Sequence, residues 1–140
     1  MKILLVEDSR PIRLDNQKVL VNAGYEVICA EDGEAALKMA REQRPDLILL
    51  DMILPKMSGP AVLGALKNAP ATASIPVVVL SGLPEKNRQK LIDAGAEEYL
   101  EKSQLLPAPG LNLLPQTLEN LVSRINRKRS NLPPKMPPRK

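Results

Sequence analysis

Three acids, a hydroxyl and an amine are spaced along this 140-residue chain so that each follows a short apolar run. Glu7 and Asp8 follow Ile3–Val6, Asp51 follows Leu47–Leu50, Ser81 follows Pro76–Leu80 with Gly82 beside it, and Lys102 comes two residues after Leu100. Carboxylates brought together repel. Two unit charges ~4 Å apart at an effective dielectric of ~20 cost ~4 kcal/mol. Lys102 supplies one compensating charge. An all-oxygen ligand set with positions left for water points to Mg²⁺ as the rest. In that setting Asp51 can attack phosphorus and form an acyl phosphate. The ion and Lys102 would neutralise the transferring group. Ser81 can donate a hydrogen bond to a phosphoryl oxygen, and Gly82 keeps the approach open.

The elements that must position these residues can be read from periodicity. Ile3–Val6, Val27–Ala30, Leu47–Leu50, Pro76–Leu80 and Glu98–Leu100 read as five strands. Continuous Leu/Ile/Val runs suit strands covered on both faces, as in a parallel sheet. Helix-like segments alternate with them, over about 11–23, 33–43, 60–68, 84–94 and 115–126. Pro11 and Pro84 suit first helical turns. Gly24 and Gly95 are stop signals, and Pro45 disfavours a helical residue ahead of it. Asn16 breaks the apolar stripe of the first helix and reads as a satisfied or partly exposed amide.

Five β-α units in succession predict a flavodoxin-like, doubly wound α/β fold. Its five-stranded parallel sheet has helices on both faces. With the sheet in the order 2-1-3-4-5, strands 1, 3, 4 and 5 are neighbours. The five chemical residues fall at the carboxyl ends of strands, where such folds place their working sites. Glu31 and Asp32, after the edge strand, read as a surface turn and a helix start. Residues 103–114 read as a long loop. The division expected is a domain over 1–126 and a basic, Pro-rich, disordered tail or linker over 127–140.

Composition removes other chemistries. There is no histidine, so no Ser-His-Asp triad, His metal site or phosphohistidine can be built within the chain. One cysteine, Cys29, leaves no internal disulfide and reads as a small buried hydrophobe. With two tyrosines and no Phe or Trp, a nucleic-acid reader built on stacked aromatics is not expected. The net charge of +4 is uneven: residues from Arg124 onward hold seven Lys/Arg and no acid, so the body is mildly acidic. Nucleic-acid binding by the tail would be nonspecific. No run approaches the ~18–20 apolar residues of a membrane span, and the first apolar run is too short for a signal peptide. The expected compartment is the cytoplasm.

These residues together resemble the response-regulator receiver domain of two-component signalling, the fold of the chemotaxis receiver. The resemblance is carried by Glu7-Asp8, the segment Asp51-Met-Ile-Leu-Pro-Lys-Met-Ser-Gly59, Ser81-Gly82, Tyr99 and Lys102, and covers about residues 2–126. It implies the strand order 2-1-3-4-5, and that Asp51 is the phosphoacceptor. Asp8 and the Met52 carbonyl would ligate Mg²⁺, with Glu7 acting directly or through water. Ser81 would be the switch hydroxyl, and Lys102 would hold a phosphoryl oxygen. Tyr99 would swing inward and remodel the face formed by the fourth helix, the fifth strand and the helix over 115–126. A histidine kinase or histidine phosphotransfer protein would donate the phosphoryl group, as part of a phosphorelay. The chain would be a regulatory phosphoacceptor with slow autodephosphorylation rather than an enzyme acting on outside substrates. It would be a monomer or a phosphorylation-dependent dimer, read by a downstream effector protein.

The chain departs from the family where Ser103 follows Lys102 in place of proline. A cis non-proline bond costs ~2.5–4 kcal/mol, which predicts a trans or strained loop there. Ile53 and Leu83 stand two residues after Asp51 and Ser81, and are expected to shield the acyl phosphate from water. Polar substitution at both without faster dephosphorylation would remove that idea. Two other readings compete. A phosphorylation-independent scaffold would not need the complete site. An Mg²⁺-dependent phosphohydrolase using Asp51 would want an aspartate where Ile53 stands.

Overall fold

A computed structural model of the chain describes residues 1–82 and 88–130. Five strands, β1 (Lys2–Val6), β2 (Glu26–Ala30), β3 (Leu47–Asp51), β4 (Val77–Ser81) and β5 (Glu98–Glu101), alternate with helices α1 (Arg10–Asn22), α2 (Gly33–Gln43), α3 (Gly59–Asn68) and α4 (Arg88–Asp93). Two further helices, α5 (Lys102–Leu105) and α6 (Leu114–Ser130), follow β5. The sheet is parallel throughout and ordered β2-β1-β3-β4-β5. Both the architecture and the strand order agree with the sequence expectation.

The period of two along a strand sorts the core into two layers. Leu4, Val6, Ile48, Leu50, Val77 and Val79 face α2, α3 and α4. Ile3, Leu5, Leu47, Leu49, Val78 and Leu80 pack with Leu20 of α1 and Leu114, Leu118 and Leu121 of α6. Every residue of β3 and β4 is buried, which is why these segments carry no polar alternation until Asp51 and Ser81. β2 is an edge strand, so Cys29 is half-buried rather than fully enclosed.

Local signals set the helix ends. Gly24 and Gly95 take φ of 101° and 115°, the left-handed conformation that a stop after α1 and α4 requires. Asp32 accepts a 2.8 Å bond from the Ala35 N–H and Ser58 one of 3.3 Å from the Ala61 N–H, capping α2 and α3.

The segment after β5 differs from the loop expected over 103–114. Lys102 opens a single helical turn, held by burial of Leu105. The chain then doubles back: Ala108 and Leu111 form an antiparallel bridge, and the Leu113 N–H donates to the Leu105 carbonyl at 2.7 Å. The Lys102–Ser103 peptide is trans, like every peptide among the described residues. This segment also accounts for Asn16. The Asn112 side-chain amide donates to Asn16 Oδ1 at 3.1 Å and its carbonyl accepts from the Leu114 N–H at 2.9 Å, so the polar break in the α1 stripe is an anchor for this return.

The boundary expected at 126 falls inside α6, which continues through Ser130. Asn-Arg-Lys-Arg contains no helix breaker, and basic residues at a helix C-terminus are favoured by its dipole. Composition misled because the same basic run suits a solvated tail or a helix end. The expected start of the fourth helix at Pro84, the residue Leu83 and the remainder of the tail lie outside the described residues.

Candidate functional site

β1 and β3 are in register, Leu5 opposite Leu49 and Val6 opposite Leu50. One step further sets Glu7 beside Asp51 on the same side of the sheet. Both are nearly sealed from solvent, at 2% and 4% exposure, while Asp8 is exposed. Glu7, Asp8 and Asp51 each offer an oxygen within 4.8 Å of the others.

Lys102, the first residue of α5 directly after β5, closes the site. Its Nζ lies 3.1 Å from Glu7 Oε1 and 3.1 Å from Asp51 Oδ2. The second Asp51 oxygen, Oδ1, accepts from the Ile53 N–H at 3.2 Å, and Glu7 Oε2 accepts from the Ser9 N–H at 3.4 Å. Burial pushes the Glu7 carboxyl up to about 7, and the adjoining Asp51 pushes the same way; Lys102 opposes both but does not prevail. Burial also disfavours the charged Lys102 ammonium, yet the Asp51 and Glu7 carboxylates outweigh it and hold that pKa above its ordinary value.

This balance is a test of whether a divalent cation fits. With all three acids ionised, one ammonium leaves two negative charges uncompensated in a pocket that already resists the Glu7 charge. The donors are all oxygen, the preference of a hard cation. The Met52 carbonyl accepts from the Gly59 N–H at 3.0 Å and retains a second lone pair for a metal. The residues therefore fit Mg²⁺.

Ser81 and Tyr99 come from β4 and β5 and are both buried. Ser81 lies one residue beyond the partner of Asp51, since Asp51 is opposite Leu80. Tyr99, opposite Val79, packs in the layer against α2, α3 and α4. Gly82 is exposed, and a Cβ there would meet open space. Ile53 is 65% exposed beside Asp51; its expected companion Leu83 is outside the described residues.

The loop from Asp51 to α3 is held tightly. A Cβ on Gly59 would collide with the Met52 Cα and approach the Asp51 carbonyl to 2.8 Å, both of them backbone atoms that cannot give way. Gly59→Ala is thus expected to cost about 1–3 kcal/mol and to shift Asp51. Urea unfolding checks the first effect and the Asp51 amide NMR resonance the second; an unchanged midpoint would show that the loop yields freely. On its outer side the loop is tied to the β2–α2 turn, where Lys56 Nζ lies 3.4 Å from Asp32 Oδ2. Asp32, read as a helix start, is held below the usual carboxylate range by the Ala35 N–H, with Lys56 adding to it.

Sequence reasoning missed Arg13. Its guanidinium donates to the carbonyls of Glu7 and Asp8 and pairs with Glu31. The available signal was a basic residue one helical turn into α1, close after the acidic pair, but charged residues on an amphipathic helix are usually solvated.

Comparison with known proteins follows the same lines. Residues 3–107 match the family model for the response regulator receiver domain. The chain is 42% identical over 125 residues to the gliding motility regulatory protein of Myxococcus xanthus, covering 87% of this chain and 15% of that protein. It is 40% identical over 102 residues to the phosphate regulon transcriptional regulatory protein PhoB of Escherichia coli, covering 72% of this chain and 44% of the relative. The chain thus spans less than half the length of these curated relatives. Among solved structures it is similar to the chemotaxis protein CheY4 of Vibrio cholerae, with a TM-score of 0.72, 33% identity and coverage of 89% and 97% of the two chains. A receiver domain protein from Clostridium thermocellum superposes with a TM-score of 0.76 at 29% identity, covering 94% and 98%. Among the described residues no helix is long and apolar enough to cross a membrane.

Proposed function

The chain belongs to the response regulator receiver domain family of two-component signalling, and on that footing we propose that Asp51 is its phosphoacceptor. The observation that carries this reading is the shared amine: Lys102 Nζ stands 3.1 Å from both Asp51 and Glu7. An Asp51 oxygen attacks the phosphorus of a partner's phosphohistidine. The O–P bond forms as the N–P bond breaks, and the imidazole leaves with the electron pair. The Lys102 ammonium donates to an oxygen of the transferring group, and the Ser81 hydroxyl donates to another. Glu7, Asp8, Asp51 and the Met52 carbonyl would hold Mg²⁺, which when bound supplies positive charge for the phosphoryl oxygens. The donor is the phosphohistidine of a histidine kinase or histidine phosphotransfer protein; the relatives of the chain include a histidine kinase.

The product carries roughly two negative charges beside Ser81. Pulling Ser81 toward the phosphoryl group alters β4 next to buried Tyr99, and so the face made by α4, β5 and α6. A downstream protein reads that face, and phosphorylation acts by shifting a two-state equilibrium. The unit that carries this chemistry runs through α6, whose basic end lies past the boundary expected at 126. Ile53, at the place where a phosphohydrolase would want an acid, supports a regulatory role over turnover of outside substrates.

Incubation with acetyl phosphate and Mg²⁺, followed by mass spectrometry, tests the assignment. One phosphoryl group is expected on the unaltered chain and none on Asp51→Asn. Equal labelling of the two would overturn it, and no labelling of either would favour the scaffold reading.

A further inference from the structure

Asp8 is exposed, so packing does not orient its carboxylate. Glu7 is fixed on one side, because its N–H continues the β1–β2 ladder to the Ala30 carbonyl at 3.1 Å. Ser9 is fixed on the other, as its carbonyl accepts the first α1 bond from the Arg13 N–H at 2.8 Å. What sets the turn between them is the Arg13 side chain. Nη1 donates to the Glu7 carbonyl at 3.1 Å and reaches the Asp8 carbonyl at 3.5 Å. Nη2 is anchored on Glu31 Oε1 at 3.2 Å, and the Arg13 side chain is only 11% exposed. One nitrogen, Nη1, meets two successive carbonyls while the other, Nη2, is tied to Glu31. The planar head is thereby fixed and holds both peptide planes, and with them the directions in which the Glu7 and Asp8 side chains leave the backbone.

We infer that Arg13 is a positioning residue, which aims the Glu7 and Asp8 carboxylates at a divalent cation by gripping those residues' own backbone carbonyls, with Glu31 as the strut behind it. The inference rests on the reading that these acids hold Mg²⁺ beside Asp51. Arg13 itself touches neither the cation nor the phosphoryl group. Its positive charge, taken alone, would oppose metal binding. The two effects therefore have opposite signs: if charge dominates, removing Arg13 tightens Mg²⁺ binding, and if positioning dominates, removal weakens it.

The test is Mg²⁺ titration of Arg13→Met, which keeps the alkyl stem, followed by amide NMR shifts of Asp8 and Met52. Loss of an orienting partner behind metal ligands costs about 10–100-fold in affinity, and about tenfold is expected. Arg13→Lys keeps the charge and loses the fork, so it is expected to weaken binding about threefold or more; it carries the test if Arg13→Met does not fold. In acetyl-phosphate labelling, the Mg²⁺ concentration for half-maximal rate should rise while the rate at saturating Mg²⁺ is preserved, a split that general loss of stability would not produce. Affinity within twofold of the unaltered chain, or tighter, overturns the assignment. The phosphoacceptor assignment fails separately: Mg²⁺ binding without any labelling of Asp51 would remove it and leave the role of Arg13 standing.

Discussion

Lys102→Ala should lower the rate of acetyl-phosphate labelling at saturating Mg²⁺ by about 10²–10³-fold, the usual cost of removing one well-placed donor from a transition state. The same change should destabilise the metal-free domain. Lys102 Nζ is within 3.1 Å of two nearly sealed carboxylates that come from different strands, and no other ion pair to Glu7 or Asp51 occurs among the described residues. Breaking a buried pair costs about 3–5 kcal/mol, and the part-exposed ammonium reduces this to about 2 kcal/mol here. Part of the loss is relieved by protonation of Glu7, whose pKa Lys102 now holds down. Lys102→Arg separates the two effects. It keeps the charge, so stability should be largely retained, but its longer planar head cannot occupy the same point and labelling should remain slow. Labelling of Lys102→Ala within a few-fold of the unaltered chain would show that the amine balances charge and takes no part in transfer.

The second large effect is a dependence of stability on pH that a single oxygen-to-amide change removes. The Glu7 carboxyl has an ordinary value of 4.5 and is pushed up to about 7 in the folded chain. Between those values the folded state keeps a proton that the unfolded state has released. The Glu7 contribution to stability is therefore full below about pH 4.5, is lost as pH rises through about 7, and is constant above it. The size of the decline is on the order of 3 kcal/mol. In urea unfolding with a chelator present, Glu7→Gln should lack this decline and be the more stable protein at pH 8. With Mg²⁺ the order should reverse, because the amide is a poorer ligand and loses the stabilisation that binding adds. Proton and cation compete for the same carboxylate, so Mg²⁺ affinity of the unaltered chain should fall as pH drops below about 7. Parallel pH profiles for the two proteins would show that the Glu7 carboxyl titrates as an ordinary exposed acid.

Much of this site was legible before any coordinates because it depends on covalent order and on the period of two along strands. Buried strands read as unbroken Leu, Ile and Val, so the first polar residue after each run marks the end of the sheet. Glu7, Asp51 and Ser81 stand out for that reason, and the resemblance to receiver domains attached roles to them. The α6 extension was less legible, because Asn-Arg-Lys-Arg-Ser satisfies both a solvated tail and a helix end. The turn at Lys102–Leu105 was illegible for a related reason: one helical turn is too short to show a period.

Residue order alone carried the alternating α/β plan and the set of acids, hydroxyl and amine at the strand ends. The strand order came with the resemblance to receiver domains, because right-handed crossovers are compatible with more than one order. Tertiary structure decided how those groups are held. Lys102 meets Glu7 across 95 residues of chain, Asn112 anchors to Asn16 across 96, and Arg13 grips the backbone of Glu7 and Asp8 while leaning on Glu31. Periodicity reports which face a side chain presents. It carries no information on which distant hydrogen-bonding group will stand opposite, since that depends on the stacking of helices against the sheet and on turns whose geometry the chain adopts only once its core has closed.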